Sequence, residues 1–314
     1  MIFWVMQGKY VTKDKNWRVY MLNIDKLRRF LMEWVLAPNG VRIVCHIISR
    51  CTRTVSTLKQ YRKKSECLYV LGNGPSLKTD LTIHKDDVNR NDCIVVNFMG
   101  LTPAYMEIRP SCYVLADSLF FKSYSLMTPD MRREISRLED VLVNKTTWPM
   151  TLITLGKQDE APFIRGLKKN PNITILYAFN KVPVPLNIKD FSGWICNRYS
   201  PPGQTVLNTA IYFGIVWKFK KIVLLGADTS FHSMVRIEQD TNRIYTNDEH
   251  FYGITKRYLY QDSNQDCPTT MDVFLKEVQA VFYWYKKLRE FADWAGVRIV
   301  NASSFSWIDA FDRA

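Results

Sequence analysis

The sequence predicts an α/β protein: a mostly parallel sheet with helices on both faces, a lid segment, and an N-terminal helical appendage. Three observations predict it. From Cys67 onward, short and fully apolar runs alternate with helical segments, as in parallel strands buried on both faces. Nearly every run ends in a polar residue, as a ligand cleft beyond the carboxyl ends of such strands requires. The basic charge is confined to one end. Residues 1–65 hold 14 basic and 3 acidic side chains, whereas the remainder holds 29 and 27. At 314 residues and 47% hydrophobic content the chain has apolar material for a large core, which excludes the disordered, collagen-like and coiled-coil classes.

The appendage, 1–65, comes first. Leu22, Leu27, Phe30, Leu31, Trp34 and Val35 recur at helical spacing with Lys26, Arg28 and Arg29 between them. After Pro38-Asn39-Gly40 the pattern returns in Ile43, Val44, Ile47, Ile48, Val55 and Leu58, accompanied by Arg42, Arg50, Arg53, Lys59, Arg62, Lys63 and Lys64. Two cationic amphipathic helices suit an anionic membrane surface, where each Lys or Arg contributes about 1 kcal/mol. A helical hairpin with a solvated basic face is the alternative. No zinc, helix-turn-helix or RNA-binding signature accompanies the charge, so nucleic acid is not an expected partner. No apolar run reaches the roughly 18–20 residues needed to span a bilayer. Seven scattered cysteines without a C-x-x-C pair read as free thiols in a reducing, cytoplasmic setting.

The body, 66–314, follows. The predicted strands are Leu68–Leu71, Cys93–Val96, Cys112–Leu115, Ile173–Tyr177, Ile222–Leu225 and Val297–Val300, with clear helices at Val206–Trp217 and Asp272–Trp294. This is a Rossmann-like arrangement. The strand ends place Asn73, Ser76, Asn97, Asp117, Asp228 and Asn301 on one rim. Singly, each is explained by a turn or a helix cap; as a set they predict a cleft. The polar, aromatic segment 229–268 is predicted to close over it as a lid.

Gly72-Asn73-Gly74-Pro75-Ser76-Leu77-Lys78 turns from strand to helix. Its glycines permit close backbone approach, and the helix N-terminus offers N–H groups to a phosphate. Leu77 stands where a dinucleotide fingerprint has Gly or Ala, and no P-loop lysine follows, so neither an NAD site nor a P-loop is predicted. D-x-D, H-E-x-x-H and Cys/His clusters do not occur, so neither a metal nor a cofactor is expected.

The order Leu71-Gly72-Asn73-Gly74-Pro75-Ser76-Leu77, Val95-Val96-Asn97, Leu115-Ala116-Asp117-Ser118-Leu119-Phe120-Phe121, then helix Asn208–Trp217, strand Lys221–Leu225, Gly226-Ala227-Asp228 and Asn247-Asp248-Glu249-His250-Phe251-Tyr252-Gly253 resembles the bacterial sialyltransferases of glycosyltransferase family 42. It covers most of residues 67–305. A wider bacterial group, including motility accessory factors that glycosylate flagellin, shares the Gly-Asn-Gly-Pro-Ser turn and the Gly-x-Asp. The resemblance implies a metal-independent transferase that uses a CMP-activated nine-carbon acid sugar. It implies that Asn73 and Asn97 contact the nucleotide and phosphate, that Asp117 contacts the donor, and that His250 is the general base on the acceptor hydroxyl.

The residue chemistry agrees, because histidine titrates near neutrality and Asp248 and Glu249 adjoin His250. His232, just after the Gly-x-Asp strand, is the rival base. The chain departs from the family in three places. Thr229-Ser230-Phe231-His232 stands where the family has phosphate-holding tyrosines, leaving Ser230, His232 or Tyr245 as substitutes. Pro201-Pro202-Gly203-Gln204-Thr205 replaces an Arg and a Ser, and Thr205 is its donor-binding candidate. Asp117 replaces an asparagine, and as a carboxylate it suits sugar hydroxyls or a nucleophilic role better than a phosphate. Gly72, Gly74, Ser76, Gly226, Asp228 and Asn301 complete the predicted donor site.

The function predicted is transfer of sialic acid, a related nonulosonate or Kdo from its CMP-activated donor to a hydroxyl of a cell-surface glycan or glycolipid. The enzyme would lie peripherally on the inner face of the plasma membrane, and a homo-oligomer is compatible with the sequence. Two other classes fit the glycine turn: an ATP-dependent pterin pyrophosphokinase-like enzyme and a non-catalytic nucleotide-binding assembly protein.

Overall fold

A computed structural model describes residues 61–155, 158–178, 191–195, 200–201, 204–250, 253–260 and 267–314, with backbone only at 126, 192, 248–250 and 253–257. The appendage helices at 21–36 and 41–60 lie outside the described residues, as do Cys45, Cys51 and Cys196. The described residues belong to one compact unit that runs from Thr54 to Ala314.

Eight parallel strands form the central sheet. In chain order they are β1 (Cys67–Leu71), β2 (Asp92–Val96), β3 (Cys112–Leu115), β4 (Met150–Leu155), β5 (Ile173–Ala178), β6 (Lys221–Leu225), β10 (Arg298–Asn301) and β11 (Asp312–Arg313). Their spatial order is β11-β10-β6-β1-β2-β3-β4-β5. Successive residues point to opposite faces, and both faces are apolar. Leu68, Val70, Ile94, Val96, Ile222 and Leu224 enter one core; Tyr69, Leu71, Cys93, Val95, Val223 and Leu225 enter the other. Such strands show no polar alternation, which is why they read as continuous hydrophobic runs.

From β1 to β5 the sheet grows in one direction. The intervening helices are α1 (Leu77–Arg90), α2 (Pro103–Ile108), α3 (Pro129–Asp140) and α4 (Pro162–Leu167), and all four pack into the second core. The chain then crosses back to lay β6 beside β1. With right-handed crossovers, reversing direction puts the next helices on the other face. There lie α5 (Ser192–Ile195), α6 (Val206–Val216) and α7 (Met271–Ala295), all packed into the first core. Leu207 through Val216 of α6 are all buried between the sheet and α7, so this helix is apolar on every side.

The sheet's N-terminal edge fixes the entry of the chain. Residues 61–65 belong by charge to the appendage, yet they are built into this edge. Tyr61 stacks on Trp217 at 4.0 Å and donates its hydroxyl to Asp92 Oδ1 at 2.6 Å, while the Lys64 and Ser65 N–H groups donate to Asp92 Oδ2 at 2.7 Å each. Asp92 is completely buried, so these donors are what make its burial tolerable. Among the described cysteines, Cys93 and Cys112 are buried free thiols whose burial pushes their pKa up.

Segment 229–268 contains a second, three-stranded antiparallel sheet: β7 (Val235–Glu238), β8 (Arg243–His250) and β9 (Gly253–Tyr258). Asn242 takes a left-handed φ of 53° in the β7–β8 turn, a conformation asparagine tolerates. No helix among the described residues is long and apolar enough to cross a membrane.

Candidate functional site

Chain direction reverses between β1 and β6, the place where an open parallel sheet ordinarily holds its ligand. Here the two loops at that point are bonded to each other. Gly72 N–H donates to the Leu225 carbonyl at 2.8 Å, and Gly74 N–H to the Gly226 carbonyl at 3.0 Å. A Cβ on Gly72 would stand 2.2 Å from the Gly226 oxygen; one on Gly74 would stand 2.1 Å from Asp228 Oδ2. Gly226 has a φ of 61°, and its carbonyl takes the Gly74 bond. The glycines therefore admit the protein's own backbone and carboxylate.

The same applies to the helix N-terminus. Ser76 N–H donates to Asp228 Oδ1 at 3.1 Å and its hydroxyl to Asp228 Oδ2 at 2.5 Å; Leu77 N–H bonds to the Gly74 carbonyl. With Pro75 lacking a donor, the Ser76 and Leu77 N–H groups are already used by the protein itself. Asp228 is a clamp on the glycine loop. Behind it Asp80, 1% exposed, accepts from Gly226 N–H and Ser304 N–H at 2.8 Å each and lies 3.2 Å from the Ser76 hydroxyl.

Desolvation raises the Asp228 pKa above its usual 3.8, an effect opposed by the Ser76 hydroxyl and N–H and reinforced by Asp80. The folded state thus holds this proton more tightly than the unfolded chain. The resulting stability is fully present below the unfolded pKa and is lost as pH rises through the folded one. Asp228→Asn keeps an acceptor for Ser76 N–H and carries no titrating proton. Urea midpoints measured from pH 4 to 7 are expected to fall with pH in the wild type relative to this variant; parallel curves would contradict the assignment.

On the other side of β1 lie the two asparagines that close β1 and β2. Asn73 Nδ2 donates to the carbonyl of Val96 at 3.2 Å, which brings it against the residue before Asn97. Asn97 sits at a left-handed φ of 45°, its carbonyl accepting from the Tyr113 hydroxyl while Gly100 N–H donates to that same hydroxyl at 2.9 Å. The side-chain oxygens of both asparagines are buried without a hydrogen-bond partner among the described residues. A buried acceptor left without a partner costs about 1–3 kcal/mol.

Asp117, exposed at the end of β3, caps the following 3-10 turn by accepting from Leu119 N–H at 2.9 Å. Thr205 caps α6 in a reciprocal capping box with Asn208, and its hydroxyl lies 3.2 Å from that of Tyr285. Tyr245 is half-buried on β8, its ring 6.1 Å from Tyr258. His232 lies edge-on to Trp307 at 4.7 Å and Phe282 at 5.7 Å, with Nδ1 buried and unpartnered. His250 ends β8, paired with Gly253 across the β8–β9 hairpin; its side chain lies outside the described atoms. Asn301 requires correction as a donor contact. It is completely buried, its amide bonded to Ser306 Oγ, the Ile308 carbonyl and Ser303 N–H inside its own loop.

Two participants are absent from the predicted set. Asp80 holds three loops together. Asn208, fully buried in the first turn of α6, presents an unpartnered Nδ2. Its spacing three residues after Thr205 signals the cap, but nothing in the spacing signals the spare donor.

The fold defines the class of doubly wound α/β proteins, with the strand order switching between β1 and β6. No protein-family model and no curated protein matches the chain. Among solved structures, the MAf glycosyltransferase from Magnetospirillum magneticum AMB-1 is similar over 83% of this chain and 37% of that one, at 13% identity and a TM-score of 0.41. The chain therefore spans little more than a third of that protein's length, and a likeness so remote says nothing of the reaction.

Proposed function

We propose that the chain is a metal-independent glycosyltransferase that moves an acid sugar (sialic acid, a related nonulosonate or Kdo) from a CMP-activated donor to a hydroxyl of a cell-surface glycan or glycolipid. The observation that carries this reading is the pair of orphan amide oxygens on Asn73 and Asn97. Cytidine offers ribose hydroxyls and an exocyclic amine, donors of the kind these acceptors lack. The motif order in residues 67–305 supplies the donor class. In the reaction, a histidine accepts the acceptor hydroxyl proton, the acceptor oxygen bonds the anomeric carbon, and the bond from that carbon to the phosphate oxygen breaks, CMP leaving with the electron pair. His250 has this role by motif position, and His232 is the alternative base, its unpartnered Nδ1 lying a few residues past Asp228.

The peripheral-membrane reading rests on the appendage pattern and on Arg62, Lys64, Lys218, Lys220 and Lys221, all exposed and concentrated at the sheet's N-terminal edge, opposite the strand-end ledge. One experiment addresses both readings. Incubation with CMP-sialic acid or CMP-Kdo is expected to release CMP, and His250→Ala to slow release by about 10²–10⁴-fold. A loss of that size in His232→Ala alone would move the base there, and no release from any CMP-sugar would overturn the donor. Deleting residues 1–60 is expected to free the protein from phosphatidylglycerol vesicles while the thermal shift with CMP persists; unchanged sedimentation would overturn the membrane role.

A further inference from the structure

The loop after β10 is held to the rest of the sheet more firmly than its exposure suggests. Ala227 N–H donates to Ser303 Oγ at 3.0 Å, Ser304 N–H to Asp80, Ser306 Oγ to the Ala227 carbonyl at 2.6 Å, and Trp307 N–H to the Asp228 carbonyl at 2.9 Å. This pinned backbone nevertheless turns Phe305 and Trp307 outward, 51% and 48% exposed, their rings 6.4 Å apart. Large apolar side chains displayed on a loop pinned by several hydrogen bonds are preorganised for contact, because binding there costs little further ordering.

Beside them is a cavity of about 380 Å³, on the β6–β10 side of β1, away from the Asn73–Asn97 ledge. Ser76, Asp228, Ser230, Ser233, Ser304 and Phe305 are among its walls. The Ser76 and Ser233 hydroxyl protons are committed inward, to Asp228 and to the Ser230 carbonyl. Those oxygens keep only lone pairs for a ligand, and the Asp228 carboxylate adds more. Among the described residues no Lys or Arg lines the cavity. Walls rich in acceptors and bare of cations disfavour a phosphate or a carboxylate. They favour a neutral ligand with several O–H donors and a flat C–H face to lie on an aromatic ring.

We propose that this cavity and its Phe305–Trp307 rim form a binding subsite for a neutral pyranose. Taking that pyranose as the sugar acceptor rests on the transferase reading; its binding does not. The two ligands would thus occupy separate halves of the strand-end rim. The nucleotide lies over β1–β2 on amides, and the neutral sugar lies over β6–β10 on hydroxyls and rings.

The test follows the indole N–H signals of the ¹⁵N-labelled full chain by NMR, the Trp307 signal being identified by its loss in Trp307→Phe. Methyl β-galactoside, N-acetylglucosamine and lactose are the probes, with sorbitol as a polyol lacking a ring face. At least one pyranose is expected to shift the Trp307 signal saturably with a Kd on the order of 1 mM, and Phe305→Ala to weaken it about tenfold. The inference is overturned by no saturable shift with any of the three, by an equal response to sorbitol, or by an unchanged Kd in Phe305→Ala. A CMP thermal shift on the same sample separates the two readings. Sugar binding without CMP binding leaves the subsite standing and removes the transferase, while CMP binding without sugar binding does the reverse.

Discussion

Gly72→Ala is expected to destabilise the protein by about 4 kcal/mol, lowering Tm by roughly 8–16 °C at the 2–4 °C per kcal/mol typical of large domains. The direction is informative, since Gly→Ala at an unstrained position stabilises by about 0.4–1 kcal/mol through the unfolded chain. Here the added Cβ meets the backbone oxygen and carbon of Gly226 at 2.2 and 2.9 Å. No rotamer change relieves a clash with backbone. The β1 and β6 loops must part, breaking the bonds from Gly72 N–H to Leu225 and from Gly74 N–H to Gly226. The CMP thermal shift is expected to vanish with them, because Asn73 sits between the two glycines.

Gly74→Ala gives the contrast. Its nearest obstacles are Asp228 Oδ2 and Cγ at 2.1 and 2.3 Å, so Asp228→Ala in the same molecule removes these two and leaves only Cβ at 2.7 Å, and the double variant should cost less than the sum of the singles. Chemical denaturation of wild type, the three single variants and the double variant checks both statements. A Gly72→Ala variant within about 1 kcal/mol of wild type would show that the loops separate freely, contrary to their observed contact.

Much of the fold is legible because strands buried on both faces leave continuous apolar runs. Cys112–Leu115 falls where the sequence places it, and the ends of α6 and α7 differ by one residue. β4 is hidden by Thr151 and Thr154, which interrupt its apolar run although both are buried. The meander β7–β9 is hidden for another reason. It buries Ile244 and Thr246 while leaving Ile237 40% exposed, so its alternation is weak and reads as a polar segment.

Within the site, Asn73 and Asn97 are legible as polar residues closing apolar strands. The purpose of the glycines is not, because a sequence shows that something approaches a glycine without showing what. Phe305 and Trp307 carry no periodicity. Their meaning comes from a backbone pinned by partners up to 224 residues away, as in the Ser304–Asp80 bond.

Asp80 is the residue whose loss reaches furthest across this rim. In sequence it is an acidic residue in the first turn of α1, where the helix dipole alone explains it. In the fold it shares the buried face of α1 with Leu77 and Val88. There it binds the glycine loop through Ser76, the end of β6 through Gly226 and the loop after β10 through Ser304.

Asp80→Ala leaves the buried Gly226 N–H without an acceptor, at about 1–3 kcal/mol, frees the part-buried Ser304 N–H and opens a cavity besides, so a loss of about 2–4 kcal/mol is expected. Asp80→Asn retains one carbonyl oxygen but turns an N–H₂ toward a backbone donor, so it should fall between Ala and wild type. Because Ser304 N–H is released, the Trp307 indole signal should broaden or shift in both variants without any ligand. If Asp80 were only a dipole-favouring surface acid, Asp80→Asn would cost a few tenths of a kcal/mol and leave the Trp307 signal in place. Urea denaturation together with that spectrum therefore separates the two roles. The graded order Ala, Asn, wild type, with the loop signal moving in parallel, is the result that makes Asp80 the common anchor of both halves of the rim.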